Sequence, residues 1–414
     1  PRCEFARKLQ AMMSKHPPLL NKNLALLILC QGLFLTNNVT FIAINGLVGL
    51  SLAPSSWMAT LPVMGYVVGG ALSTSIVAKT QNRFGRKISF QLGLLVAMLS
   101  ALLCAFAAIS HNFWLLTTGT LIAGYYSANG QLYRFAAAEL TEPSQRDQAV
   151  SWVLAGGILG AVIGPNLASW TRNAFDTAFL GAYLTLSIAA LLGILIMQCI
   201  HFPEEYKSQH ALTDGRPLKN ILQQPVFVVA IIGASLGYGV MNLLMAATPL
   251  AMQICGLPFS DTALVLEWHV IGMFAPGFFT GTLIQRFGAL KIMGVGVALN
   301  ITCIAIALTG VDLHQFLIAL FLLGVGWNFL FTGSTSLAMT AYQPNERDKA
   351  QGAINFFVFG TMAFTSFGSG ALVTSQGWSI LNIGSLAPVL ITGIALAWLS
   401  INNKKNAYTQ QTNH

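Results

Sequence analysis

The chain has 414 residues, of which 55% are hydrophobic and only 8% charged, with 21 Lys and Arg against 13 Asp and Glu. Soluble domains average about 25% charged residues, so this composition argues against a soluble enzyme or a nucleic-acid-binding protein and excludes a disordered chain. The net charge of +8 is no invitation to nucleic acid, because the basic residues sit in short clusters between long apolar runs.

A helix crosses the hydrocarbon of a bilayer with about 20 apolar residues. The chain opens on Pro1, which is not a translation start; Met12 or Met13 fits one. The basic stretch through Lys22 then leads into an apolar run too long for a signal-peptide core. From there the sequence predicts twelve spans, at 24–47, 55–79, 88–109, 112–138, 147–170, 177–200, 225–252, 260–285, 290–310, 314–341, 349–374 and 378–401. The most polar internal segment, 201–224, carries Glu204, Glu205, Lys207, Asp214, Arg216 and Lys219 and divides the spans six and six. The expected layout is a tail 1–23, a six-helix bundle 24–200, a linker 201–224, a second bundle 225–401 and a tail 402–414. Lys and Arg set the orientation. The tails, the linker and the loops after spans 2, 4, 8 and 10, with Arg134 just inside the same end of span 4, hold every basic residue but Arg172, which predicts both termini in the cytoplasm and a multi-pass protein of the cytoplasmic membrane. The six cysteines form no CxxC or CxxH pair and read as small core residues, not as a disulfide or metal framework.

The halves echo each other. Asn82-Arg83-Phe84-Gly85-Arg86-Lys87 follows span 2 and Gln285-Arg286-Phe287-Gly288 follows span 8, 203 residues later. Pro143-Ser144-Gln145-Arg146-Asp147 and Pro344-Asn345-Glu346-Arg347-Asp348 stand 201 residues apart, after spans 4 and 10. Repeated halves related by an axis along the membrane normal are a transporter architecture, with the substrate site between them near mid-bilayer. On these residues the chain resembles the major facilitator superfamily of secondary transporters, over essentially its whole length. The family loop Gly-x-x-x-Asp-Arg-x-Gly-Arg-Lys is matched at Arg83, Gly85, Arg86 and Lys87, with Asn82 in place of the Asp and Ala78 in place of the first Gly. Span 5 is similar to the family's Gly-Pro antiporter motif at Gly156, Gly160, Gly164 and Pro165, with Ala168 and Ser169 where a glycine pair usually follows. The arginine of the drug-exporter signature would fall near Thr120 and is absent. The resemblance implies an all-α integral membrane fold of twelve transmembrane helices in two six-helix pseudo-symmetric halves, alternating access, and a gating role for the Arg83–Lys87 loop.

Ionisable residues inside a bilayer are expensive and so are functional candidates. Span 8 holds Glu267 and His269, the candidates for proton coupling, since histidine titrates near neutral pH; a structural hydrogen-bonded histidine and a hydrated carboxylate are the plainer readings. Arg134 shares a stripe of span 4 with Ser127 and Gln131, facing a cavity or pairing with Glu139. Gln31, Asn38 and Asn45 recur at seven-residue spacing in span 1, Tyr238 and Asn242 mark span 7, Trp327, Asn328, Thr332 and Thr335 mark span 10, and Asn355 opens a stripe on span 11. These are candidates to line a cavity, and equally to act as interhelical glue. The glycine seam at i, i+4 and i+8 suits close helix packing, a rocking interface, or both.

The expected function is secondary active transport of a small organic solute, amphipathic and aromatic, driven by protons, in a monomer without metal or cofactor. An uncoupled facilitator and a transporter-like receptor without flux are the alternatives. Relatives that the chain resembles include drug exporters and vitamin carriers, riboflavin among their solutes. No Walker loop is present to couple ATP.

Overall fold

The computed structural model describes residues 21–142, 145–202 and 215–412. The tail before Asn21, residues 143–144 of the repeated loop, residues 203–214 of the linker and residues 413–414 lie outside the described residues.

Helix α1 (Lys22–Leu52) starts where Asn21 accepts a hydrogen bond from the Leu24 amide at 2.8 Å, a side-chain cap for a backbone donor that the first turn leaves unpaired. Helix α2 (Leu61–Ile109) holds spans 2 and 3 end to end, broken at Gly85, whose φ of 83° a residue with a Cβ rarely adopts. Helix α3 (Phe113–Gly130) and the short α4 (Tyr133–Glu139) together make span 4. Helices α5 (Arg146–Thr171) and α6 (Leu180–Gln198) complete the first half. After the one-turn α7 (Leu218–Leu222), helix α8 (Pro225–Ile254) opens the second half. Span 8 is again broken, into α9 (Phe259–Phe274) and α10 (Gly277–Phe287), bent by 41°. Helices α11 (Ala289–Ala307), α12 (Leu313–Met339), α13 (Arg347–Ser375) and α14 (Gly377–Thr412) follow.

Among the described residues, nine helices are long and apolar enough to cross a bilayer, and the bent pair α9–α10 makes a tenth. Because α2 contains two spans and α3 with α4 makes one, the layout is the twelve-span fold that the sequence predicts. Large apolar side chains such as Leu72, Trp170, Ile188, Phe364 and Ile394 stand exposed, surface that lipid solvates and water would not.

The halves repeat their internal packing. In the first, α1 packs on α5, α3 on α2 and α6 on α2; in the second, α8 packs on α13, α12 on α9 and α11, and α14 on α11. Glycines set these distances. A Cβ on Gly69 would meet the Leu121 carbonyl oxygen at 1.9 Å, and one on Gly324 would meet the His269 carbonyl oxygen at 2.4 Å. Between the halves, α5 meets α9, α2 meets α13 and α1 meets α8.

Candidate functional site

At the end that carries the basic loops, the Arg83–Lys87 turn is tied into the first half. Arg86 donates through Nε to Glu139 Oε2 at 2.8 Å, through Nη2 to Glu139 Oε1, and through Nη1 to Gln81 Oε1 at 2.8 Å. Lys87 donates to the Gln198 carbonyl at 2.7 Å, so the end of α6 is held as well. Arg83 is exposed and lies over the Phe84 ring, and Asn82 is exposed. The equivalent turn of the second half repeats the backbone, with φ 86° at Gly288, and the cation over the ring, Arg286 on Phe287. Ala289 stands where Arg86 would be, and the second half's buried carboxylate, Glu346, is held instead by the linker residue Arg216, through Nε and Nη2 at 2.7 Å each. The Arg216 and Gln343 amides add two bonds of 2.9 Å, and these donors hold the Glu346 carboxyl well below its ordinary 4.5, at about 2.

The glycine seam lies against α1. A Cβ on Gly156 would sit 2.7 Å from the Ile28 carbonyl oxygen, one on Gly160 would sit 2.5 Å from that of Gly32, and one on Gly164 would sit 3.0 Å from that of Thr36. Pro165 lies inside α5, and Thr40 donates to the Gly164 carbonyl beside it at 3.0 Å.

The intramembrane polar residues fall into three groups. The first holds helices together. Asn242 donates to Met362 O, Thr365 Oγ1 and Ser366 Oγ at 2.8–3.1 Å, joining α8 to α13. Asn328 donates to the Met273 carbonyl at 2.7 Å and accepts from Thr280 at 2.7 Å, which occupies backbone freed where Pro276 breaks span 8. Asn45 accepts from the Tyr183 hydroxyl at 2.6 Å. His269 is fully buried, and its Nδ1 donates to the Leu320 carbonyl at 2.6 Å, while Nε2 finds no partner among the described residues.

The second group joins the halves at the end opposite the basic loops. Asn166 Nδ2 donates to Glu267 Oε2 at 2.7 Å, bridging α5 and α9. Thr60 donates to the Phe367 carbonyl at 3.3 Å and accepts from the Gly370 amide at 3.0 Å. Trp57 meets Phe367 edge-on, and Arg172 lies over both Phe179 and Phe259, one ring from each half. Phe179 sits at φ 64°, the left-handed region that a bulky residue occupies only under constraint.

The third group is a mid-depth cluster. Trp327 and Phe331 stack with centroids 5.3 Å apart and an 8° interplanar angle, Tyr238 meets both edge-on at 5.2 and 5.5 Å, and Phe274 approaches Trp327 at 6.3 Å. From the other half Arg134 lies within electrostatic range of the Tyr238 hydroxyl. Since Glu139 holds Arg86, Arg134 does not pair with it; its guanidinium lies over the Phe135 ring, and its Nε has no hydrogen-bond partner among the described residues. Gln31 is buried with its Oε1 unpaired, Asn38 is half-buried, and Gln131 and Asn355 are exposed. Thus Arg134, Tyr238 and Trp327 come together, whereas Asn242, Asn328 and His269 are occupied by backbone or side-chain partners.

Phe274 and Phe331 were hidden among the chain's 26 phenylalanines, although Phe331 stands one turn from Trp327 and Phe274 immediately precedes a helix break signalled by Pro276. Asn166 follows Pro165 inside an apolar span, a signal that the glycine seam overshadowed.

The Major Facilitator Superfamily model matches residues 24–277 and 268–413. The riboflavin transporter RfnT of Brucella anthropi is 38% identical over 363 residues, covering 87% of this chain and 91% of that one. The uncharacterized transporter YddS of Bacillus subtilis is 27% identical over 374 residues, 86% of each chain. Among solved structures, a D-xylose-proton symporter superposes with a TM-score of 0.72 at 14% identity, covering 91% of this chain and 96% of that one, and the peptide transporter PepTSo with 0.71 at 12%, covering 95% and 99%. A twelve-span fold in two matching halves, the repeated Arg-Phe-Gly turn and the family match along nearly the whole chain agree: the chain belongs to the Major Facilitator Superfamily and is a membrane transporter, not an enzyme.

Proposed function

We propose that this chain is a proton-coupled secondary transporter of a flavin-type solute, working by alternating access across the cytoplasmic membrane with its bundles at 24–200 and 225–401. The observation that carries the reading is an aromatic cluster of Tyr238, Trp327 and Phe331 in one half, with Arg134 of the other half in electrostatic range of its Tyr238. The halves meet at the end opposite the basic loops through Thr60, Asn166 and Glu267. With the basic loops in the cytoplasm, both tails lie there too, the closed end faces outward and the conformation is inward-facing. The 38% identity to RfnT supports riboflavin as the solute class.

Glu267 is the better placed of the two proton candidates, because its carboxyl is bonded across the interface that must part, whereas His269 lies within one half. One proton moving down 100 mV releases about 2.3 kcal/mol, enough for roughly a fiftyfold solute gradient. The test is riboflavin uptake into proteoliposomes with and without an inward pH gradient, for the wild type, Glu267→Gln and His269→Gln. Wild type should accumulate riboflavin uphill, and Glu267→Gln should keep counterflow exchange while losing the response to the gradient. Uphill accumulation by both variants overturns the coupling assignment. A wild type that equilibrates riboflavin but ignores the gradient is an uncoupled facilitator, and one with no counterflow at all does not carry this solute.

A further inference from the structure

We propose that Trp327 and Arg134 form a recognition slot that reads the hydrogen-bond-acceptor edge of a planar fused ring, so that this transporter selects its solute by the ring's dione edge and not by an attached polyol. The inference rests on the reading of the chain as a flavin carrier and says which part of the molecule is read.

The slot has a rigid aromatic wall. Trp327 and Phe331 stand one helical turn apart on α12 with nearly parallel rings, and Tyr238 of α8 supports both from the edge. Rings held edge-on by neighbours cannot rotate out of the way, and a flat solute gains stacking area on them at little cost in side-chain freedom. The wall also carries an unanswered donor. Trp327 is only 7% exposed, yet its indole Nε1–H finds no hydrogen-bond partner among the described residues, a state that buried donors rarely keep. The indole donates and cannot accept.

Arg134, in electrostatic range of Tyr238 and with its guanidinium over the Phe135 ring, supplies a second donor from the first half. Its Nε is likewise buried and unpaired, and a guanidinium offers five donors and no acceptor. The nearby carboxylate that might neutralise it, Glu139, is committed to Arg86, and Glu267 is committed to Asn166 at the far end of the bundle. The two unpaired groups are therefore both donors. A ligand that satisfies them brings acceptors in the plane of a ring, which describes the carbonyls and ring nitrogens of an isoalloxazine or pteridine dione. One cation fits a neutral or singly charged ring edge; a phosphate ester, which arrives as a dianion, is poorly matched.

The test uses the full chain purified in lipid nanodiscs and measures equilibrium binding of radiolabelled riboflavin, with lumichrome (the dione ring without the ribityl chain), ribitol and flavin mononucleotide as competitors. Lumichrome should displace riboflavin within about tenfold of riboflavin itself, while ribitol should not compete and flavin mononucleotide should compete weakly. Trp327→Phe keeps a ring and removes the N–H, and should weaken riboflavin and lumichrome alike by about tenfold, the scale of one lost buried hydrogen bond. Arg134→Gln should do the same or more. Trp398→Phe, an exposed tryptophan on α14, controls for general effects of the substitution. If Trp327→Phe lowers the melting temperature, the competition series on the wild type and the Arg134→Gln variant still decide. Riboflavin bound as tightly by Trp327→Phe and Arg134→Gln as by wild type, or displaced by ribitol and not by lumichrome, overturns the slot while leaving the carrier intact. Wild-type protein that neither binds nor exchanges riboflavin overturns the carrier reading and this inference together.

Discussion

Glu346 is 1% exposed and depends on four donated hydrogen bonds, three of them from Arg216. Its carboxyl is lowered from 4.5 to about 2, so the clamp contributes fully above the ordinary value and is lost as pH falls toward the folded one. Hydrogen exchange of the segment from Gly215 to Leu222 should therefore stay slow from neutral pH to about 4.5, after correction for the intrinsic rate, and speed up below it; Glu346→Gln should abolish that step. Gly160 answers to packing instead of charge. A methyl there would lie 2.5 Å from the Gly32 carbonyl oxygen and 2.6 Å from the Thr36 amide nitrogen, backbone on both sides. Gly160→Ala should cost about 1–3 kcal/mol by overpacking, read as a lower melting temperature in detergent, whereas Ala at Gly281, where a Cβ meets nothing within 4 Å, should be tolerated.

Among the elements, span 8 shows what hydropathy conceals. Pro276 removes an amide donor, the helix bends by 41°, and Asn328 from α12 donates to the Met273 carbonyl at the break. Asn328→Leu should leave that carbonyl unpaired in apolar surroundings, at a cost of about 1–3 kcal/mol, with a measurable fall in thermal stability and little change at the basic loops. The spans themselves were legible because apolar length is a one-dimensional property. The turns at Gly85 and Gly288 were legible as a repeated motif, and the backbone there repeats as well, at φ 83° and 86°. The roles of the polar stripes were not legible. An asparagine in an apolar helix must face protein or water, but whether it meets a ligand or a broken backbone depends on another helix: the partner of Asn328 is 55 residues away and those of Asn242 lie 120 to 124 away. That Arg134 Nε and Trp327 Nε1 find no hydrogen-bond partner among the described residues is a fact of three dimensions.

For the whole molecule, in the proposed alternating-access cycle the balance between conformations rests on a small contact zone. Thr60 reaches residues more than 300 positions away, and Arg172 bridges Phe179 and Phe259 across the halves. No sequence register relates such partners, so the closing surface was invisible beforehand, and Arg172 stood out only as a topological exception. Phe259→Ala removes a ring shared by a cation and an aromatic partner, interactions worth about 0.5–1.5 kcal/mol each. It should raise the population open at this end by roughly tenfold, measured as a longer distance between spin labels on the 53–60 and 255–258 connections. Phe259→Tyr should restore closure.

Because Arg216 neutralises a carboxylate of the second half from the connecting segment, the two bundles are unequal as independent pieces. Encoded as two separate polypeptides, a carboxy-terminal fragment that begins at Gly215 brings its own counter-ion and should reassemble with residues up to 202 into an active pair. One that begins at Pro225 strands Glu346 without its cation, and its yield should fall even though every transmembrane segment is present.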